Sequence, residues 1–185
     1  MTEHPSLADL ESALDHILAS PSDAGKLQMI SARPAVGQRH QMQEATLDEA
    51  QGLIGDNWKD RSSARTPDGS ANPDAQLTII NSRLVDAVSG SKSRWELAGD
   101  QLVVDIDLSH DNLPVGSRLQ IGSAMVEITA EPHTGCVKFA SRFGNPALRF
   151  VSGPVAMQQR RRGANTKIIK SGTIRVGDAV RKVEA

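Results

Sequence analysis

The sequence predicts a mainly β domain with short helices, an α+β chain whose strands close into a barrel-like sheet. Short runs rich in Val, Ile, Leu and Thr recur at 77–80, 101–108, 118–121, 124–129, 166–170 and 173–176, punctuated by Gly, Pro and Asn turns. Helical periodicity is confined to short stretches near 6–19, 82–88 and 136–152. A chain of 185 residues favours one core with an extension over two full domains. With two Trp, three Phe and no Tyr, that core must rest on Leu, Ile, Val, Ala and Met.

Taken in order, Ser6 caps a helix over 6–19 in which Leu7, Leu10, Leu14, Ile17 and Leu18 form one apolar stripe, ended by Ser20-Pro21-Ser22-Asp23. Residues 1–24 therefore read as a helical arm and 25–185 as the barrel domain. From Leu27 to Leu47 the chain is mostly extended, broken by Arg33-Pro34 and Gly37. Thr46-Leu47-Asp48-Glu49 matches a capping box and predicts a short helix through Leu53-Ile54, stopped by Gly55. Residues 56–75 are polar and turn-rich, a loop. The strand Leu77–Ile80 leads into a short helix around 82–88. Gln101–Leu108 is a strand, Leu113-Pro114-Val115-Gly116 a turn, and 118–121 with 124–129 a hairpin across Gly122-Ser123. Two short helices follow at 136–144 and 145–152, the second opened by Asn145-Pro146. Strands Thr166–Lys170 and Thr173–Val176, with turns at Gly172 and Gly177-Asp178, complete the reading.

Charge and cysteine usage narrow the function classes. Lys and Arg number 21 against 22 Asp and Glu, and the net charge of −1 argues against broad binding to nucleic acid or an anionic membrane. No run of 18 apolar residues exists, and the amino terminus is acidic rather than basic-then-apolar, so neither a membrane span nor a secretory signal is expected. Cys136 is the only cysteine and can form no internal disulfide; a reducing cytoplasm is the expected location.

The strongest local signal is Glu131-Pro132-His133-Thr134-Gly135-Cys136-Val137-Lys138-Phe139. Pro132 and Gly135 constrain a tight loop after a strand and place Cys136 at the start of a helix, where unpaired N–H groups and the helix dipole favour a thiolate. Lys138 and Arg142 add positive charge, and His133 can hydrogen-bond the sulfur or take its proton. These features point to a nucleophilic or metal-binding sulfur; the competing reading is a small, inert, buried residue. Zinc is not expected, because a structural site needs four ligands and His4, His16, His40 and His110 are scattered. A protease-like Cys–His pair is disfavoured too, since that base comes from far along the chain. The run Arg160-Arg161-Arg162 is either a solvated turn or an anion site gripping the phosphate of a small molecule. No Walker loop, dinucleotide fingerprint or serine elbow is present.

The stretch GDQLVVDIDLSHDNLPVGSRLQIGSAMVEITAEPHTGCVKFASRFGNPALRFV closely resembles the MOSC domain, named for the carboxy-terminal domain of molybdenum cofactor sulfurases. The order of features carries the resemblance: a G-D-x-L strand, a D-L-S loop, N-L-P-x-G-x-x-L-x-I-G, an E-I-T strand, then a loop with one cysteine. It runs from about residue 25 to the end, is best over 98–152, and in His-Thr-Gly-Cys followed by Lys-Phe looks like a small bacterial stand-alone subgroup. The resemblance implies a MOSC-type β-barrel presenting Cys136 at a pocket for the molybdenum pterin, as a molybdenum ligand or a persulfide sulfur carrier. His133, Thr134, Gly135 and Lys138 form its setting, and Arg142, Arg149, Arg160, Arg161 and Arg162 are candidates for holding the cofactor.

Three roles stay open at this stage. One is a molybdenum-cofactor reductase of N-hydroxylated compounds, fed by a separate electron-donor reductase because the chain shows no flavin, haem or iron–sulfur motif. Another is a sulfur carrier served by a separate desulfurase; pyridoxal phosphate is not expected for this chain alone. The last is a non-catalytic interaction barrel with an inert Cys136.

Overall fold

The computed structural model describes residues 4–183; the first three residues of the arm and the last two of the barrel segment lie outside that range. The arm forms two short helices rather than one, α1 (Leu7–Ser12) and α2 (Leu14–Leu18), broken at Ala13. Ser6 caps α1 through a reciprocal box with Asp9. Then come β1 (Gly25–Ala32), β2 (His40–Met42), β3 (Glu44–Asp48), β4 (Gly52–Leu53), β5 (Leu77–Asn81) and α3 (Ser82–Ser89). The chain continues through β6 (Leu102–Asp105), β7 (Arg118–Ile121), β8 (Ala124–Ile128), α4 (Val137–Phe150) and α5 (Pro154–Gln158). It ends in β9 (Ala164–Lys170), β10 (Gly172–Arg175) and β11 (Ala179–Val183).

Seven strands close into a barrel in the order β1-β11-β7-β8-β9-β5-β6 and back to β1. Every pairing is antiparallel except β5 with β6. A small sheet, β10-β3-β4, is appended where the chain turns at Ser171 between β9 and β10. The period-2 side-chain alternation of strands divides the apolar residues between two cores. Leu27, Leu77, Ile79, Leu102, Val104, Val126 and Ile128 fill the barrel. Met29, Ile80 and Val103, on the outer faces of the same strands, pack under the helices with Leu84, Val88, Phe139 and Phe143. Leu10 and Ile17 of the arm join this second core, so the arm lies on its own barrel.

The hairpin, the strand–helix unit around 77–89 and the two late helices follow the sequence expectation. The late helices are the two halves of α4, separated by Gly144 at φ 87°. The helix expected over 46–54 is instead the β3–β4 hairpin. Ala45 and Leu47 alternate inward along β3, and the Asp48 carboxylate accepts from the Ala50 and Gln51 N–H groups. The expected Thr46–Glu49 box does not form: Asp48 closes the turn and Glu49 accepts from Ser171. The strand expected over 101–108 pairs only through Asp105, because Asp107 takes the Ser109 N–H and bends the chain away. The loop 56–75 is pinned by buried Trp58, whose indole N–H donates to the Asn72 carbonyl at 3.0 Å.

Candidate functional site

Beyond β8 the chain runs from Thr129 to Gly135 and delivers Cys136 as the N-cap of α4, with an exposed thiol that makes no capping bond. The bend at Gly144 folds the second half of α4 back under this loop. A Cβ on Gly135 would lie 2.6 Å from the Leu148 methyl and 3.2 Å from Val151, so glycine is what lets the loop sit down on α4. Thr134, Val137 and Lys138 are exposed beside the sulfur.

His133 faces inward. Its Nε2 lies 2.7 Å from Oδ1 of Asp100, whose side chain has no exposed surface, and Arg162 Nη1 donates to the other oxygen, also at 2.7 Å. Burial raises the Asp100 pKa, but Arg162 and His133 outweigh it and hold the carboxyl at about 2. Burial and then Arg162 depress the His133 pKa, against the pull of Asp100. An ionised Asp100 can only accept, so Nε2 carries the proton and the neutral ring keeps a lone pair on Nδ1. The Arg162 guanidinium lies 4.9 Å from the Phe139 ring centroid, fixing the first turn of α4 to the same hub.

Asp100 follows a 3₁₀ segment, Lys92–Ala98, capped by Gly99 at φ 89°. The last carbonyls of such a segment carry partial negative charge, and here only Glu96 O has an internal partner, the Gly99 N–H at 3.1 Å. Consecutive ones each receive a guanidinium. Arg39 Nε donates to Glu96 O at 3.2 Å, and Arg142 Nη1 to Leu97 O at 2.7 Å. Arg162 Nη2 donates to Ala98 O at 3.0 Å, and Arg33 Nη1 to Gly99 O at 3.2 Å. A Cβ on Gly99 would come within 3.4 Å of Arg39 and 3.5 Å of Arg142. Arg162 is neutralised by Asp100 and Arg33 by the fully buried Asp56, but Arg39, Arg61 and Arg142 form no ion pair among the described residues. Burial and then neighbouring arginines pull the Arg39 and Arg61 pKa values down, which marks a crowd of like charge.

A separate pocket of about 280 Å³ opens beside the loop, lined by Thr129–Gly135, by Val151–Gly153 and by residues from Ala156 to Asn165. His133, Thr134 and Gly135 border it, while Cys136 stands outside its wall. Arg160 lines this pocket, holding the Leu108 and Leu113 carbonyls. Arg149 and Arg161 border a different depression with Leu7 and Glu11, and Arg161 stacks on Phe150 at 4.6 Å. Arg162 lines the same pocket as Arg160 while Arg161 faces the other depression, and of the residues picked from sequence His133, Arg142 and Arg162 share the hub.

Arg33, Arg39, Arg61, Asp56 and Asp100 were not singled out by sequence. Gly99-Asp100 enters the sequence reading only as the start of the G-D-x-L strand, and the arginines come from segments whose approach depends on tertiary structure. Among the described residues no three His, Cys, Asp or Glu side chains gather as a metal cage, and no helix is long and apolar enough to cross a membrane. Any metal here would meet one soft protein ligand and bring the rest of its coordination with it.

The fold has solved counterparts. The YuaD protein from Bacillus subtilis superposes with a TM-score of 0.65 at 17% identity, covering 86% of this chain and 95% of that one. YiiM from Escherichia coli does so with a TM-score of 0.54 at 17% identity, over 86% of this chain and 70% of that one. No curated protein sequence matches the chain. The sequence profile of the MOSC domain matches residues 66–181, a span that holds β5 through most of β11, the Asp100 hub and the Cys136 loop. With well over half its length matched and the barrel in place, the chain belongs to the MOSC domain family.

Proposed function

We propose that this chain binds the molybdenum pterin at the cluster of Arg39, Arg61 and Arg142 and uses the Cys136 sulfur as the protein ligand to molybdenum, in the reduction of N-hydroxylated small molecules. The observation that carries the reading is the charge pattern. Arg39, Arg61 and Arg142 lack ion-pair partners among the described residues and crowd one another, as suits a site completed by an anionic group. The donor set fits the cofactor: guanidinium forks for its phosphate and a single exposed thiol for a soft metal. When bound, the cofactor would supply two-electron oxygen-atom chemistry. The chain's own residues would grip the phosphate, present the sulfur, and hold one proton on His133 Nε2 against Asp100 while Nδ1 stays open as an acceptor. Electrons would come from a separate reductase.

A second reading is favoured by the exposure of Cys136: a sulfur carrier needs a thiol that a desulfurase can reach. Protein purified from a host that makes the cofactor separates the two. Reduction of a hydroxylaminopurine with an artificial electron donor, lost in Cys136→Ser, supports the enzyme. Cyanide-labile sulfur on Cys136 without such activity supports the carrier. A fully active Cys136→Ser protein contradicts both.

A further inference from the structure

The 280 Å³ pocket shares His133 and Arg162 with the hub, and the rest of its lining gives it a chemistry unlike that of the arginine cluster. Its walls are largely apolar, with Val115, Pro132, Val151, Ala156, Met157 and Ala164 facing it. The volume is at the lower end of the range for small-molecule sites. Among the described residues Glu131 is the one carboxylate on its lining, and that carboxylate is already engaged by Arg65 at 2.9 Å and Asn72 at 3.2 Å. It is turned to the loop 56–75.

Arg160 is the unusual member of the wall. It is 8% exposed, and its backbone stands at φ 43°, a conformation uncommon for a residue with a side chain. Its Nη1 donates to Leu108 O at 3.0 Å and to Leu113 O, and its Nη2 lies 3.3 Å from His110 Nδ1. No carboxylate pairs with it among the described residues, whereas Arg33 and Arg162, equally buried, each have one. Carbonyl and imidazole partners orient a guanidinium but leave its charge uncompensated, and a buried cation without a counter-ion is costly. The Nε–H and one Nη2–H of Arg160 find no acceptor among those bonds.

We propose that this pocket is a binding site for a small organic carboxylate, whose apolar body lies against Val115, Ala156 and Met157 and whose carboxylate supplies the missing counter-charge to Arg160. Apolar walls around a single unpaired guanidinium select a monoanion with an apolar tail over inorganic phosphate, which prefers several donors. The site does not include Cys136; it meets the hub only at His133 and Arg162, where Arg162 is already paired with Asp100.

Benzoate and hexanoate are suitable probes, titrated into the full chain and followed by amide shifts in ¹H–¹⁵N spectra. Saturable shifts are expected at His110, at 130–135 and at 156–160, with benzamide, the neutral analogue of benzoate, binding at least tenfold more weakly. Arg160→Met should lose at least tenfold in affinity. Because Arg160 is buried and that variant can unfold, Ala130→Trp at the exposed mouth provides a second check: it should fold normally and fail to bind benzoate. Benzamide binding as tightly as benzoate, phosphate competing on equal terms, shifts centred on Arg39 and Arg142, or no saturable shift with either carboxylate would each overturn the proposal.

Discussion

Asp100 and Cys136 are the two ends of one construction and differ in almost every physical respect. Asp100 has no exposed side-chain surface and holds His133 and Arg162, each at 2.7 Å. Cys136, three positions beyond His133, is exposed and makes no capping bond. The fold commits charge, burial and hydrogen bonds to aiming the loop and leaves the sulfur at its tip uncommitted. Substitutions at the first end should therefore register as lost stability, and those at the second as lost chemistry.

The largest expected effect is at the hub. Asp100→Asn strands the buried Arg162 guanidinium without a counter-charge, which should cost about 3–5 kcal/mol, measured by urea unfolding. A cost below about 1 kcal/mol would mean that the hub is not what holds the loop. Acid should probe the same end without mutation. Asp100 titrates at about 2 in the folded protein against an ordinary 3.8, so its contribution is present above pH 3.8 and is lost as pH falls to about 2, roughly 2 kcal/mol in all. The His133 pKa is depressed below 6.5, so the unfolded chain takes up that proton first and stability also declines as pH drops below 6.5. In Asp100→Asn the lower of these two declines should be reduced.

The arginine cluster lies between the extremes. Arg39→Met removes one cation from a crowd of like charge, so the cofactor-free protein should be as stable as the parent within about 0.5 kcal/mol, or more stable. The same variant should retain less molybdenum pterin after purification. Smallest of all in stability is Cys136→Ser, expected within about 0.5 kcal/mol because the thiol is exposed. His133→Ala sharpens the contrast: alkylation of Cys136 should slow if the imidazole tunes the sulfur, and an unchanged rate removes His133 from that role.

The comparison also shows what a sequence can reveal. The Cys136 loop was legible because its signals are local: a strand, Pro132, Gly135 and a helix start within a few residues. The hub was not, because its parts lie at 33, 39, 100, 142 and 162 and meet only in the folded chain, through the carbonyls of Glu96 to Gly99 and the Asp100–Arg162 pair. The misread helix at 46–54 teaches a narrower lesson. Asp48 carries turn chemistry that serves a helix cap and a hairpin equally, and the alternation of Ala45 and Leu47 fits the strand. Within the basic run 160–162, Arg160 at positive φ and Arg162 border one pocket while Arg161 between them faces another, which adjacency in sequence conceals. Gly163 itself is required there, since a Cβ would lie 2.2 Å from the Ile79 carbonyl oxygen.

If the arginine cluster and the Cys136 sulfur together hold a molybdenum pterin, metal and pterin analysis of the protein purified from a host that makes the cofactor shows it directly, with Cys136→Ser and Arg39→Met prepared alongside. About one molybdenum and one oxidised pterin per chain are expected, with the metal lost in the first variant and both depleted in the second. Protein free of molybdenum and pterin, from cells in which another molybdenum enzyme is fully loaded, would contradict that reading.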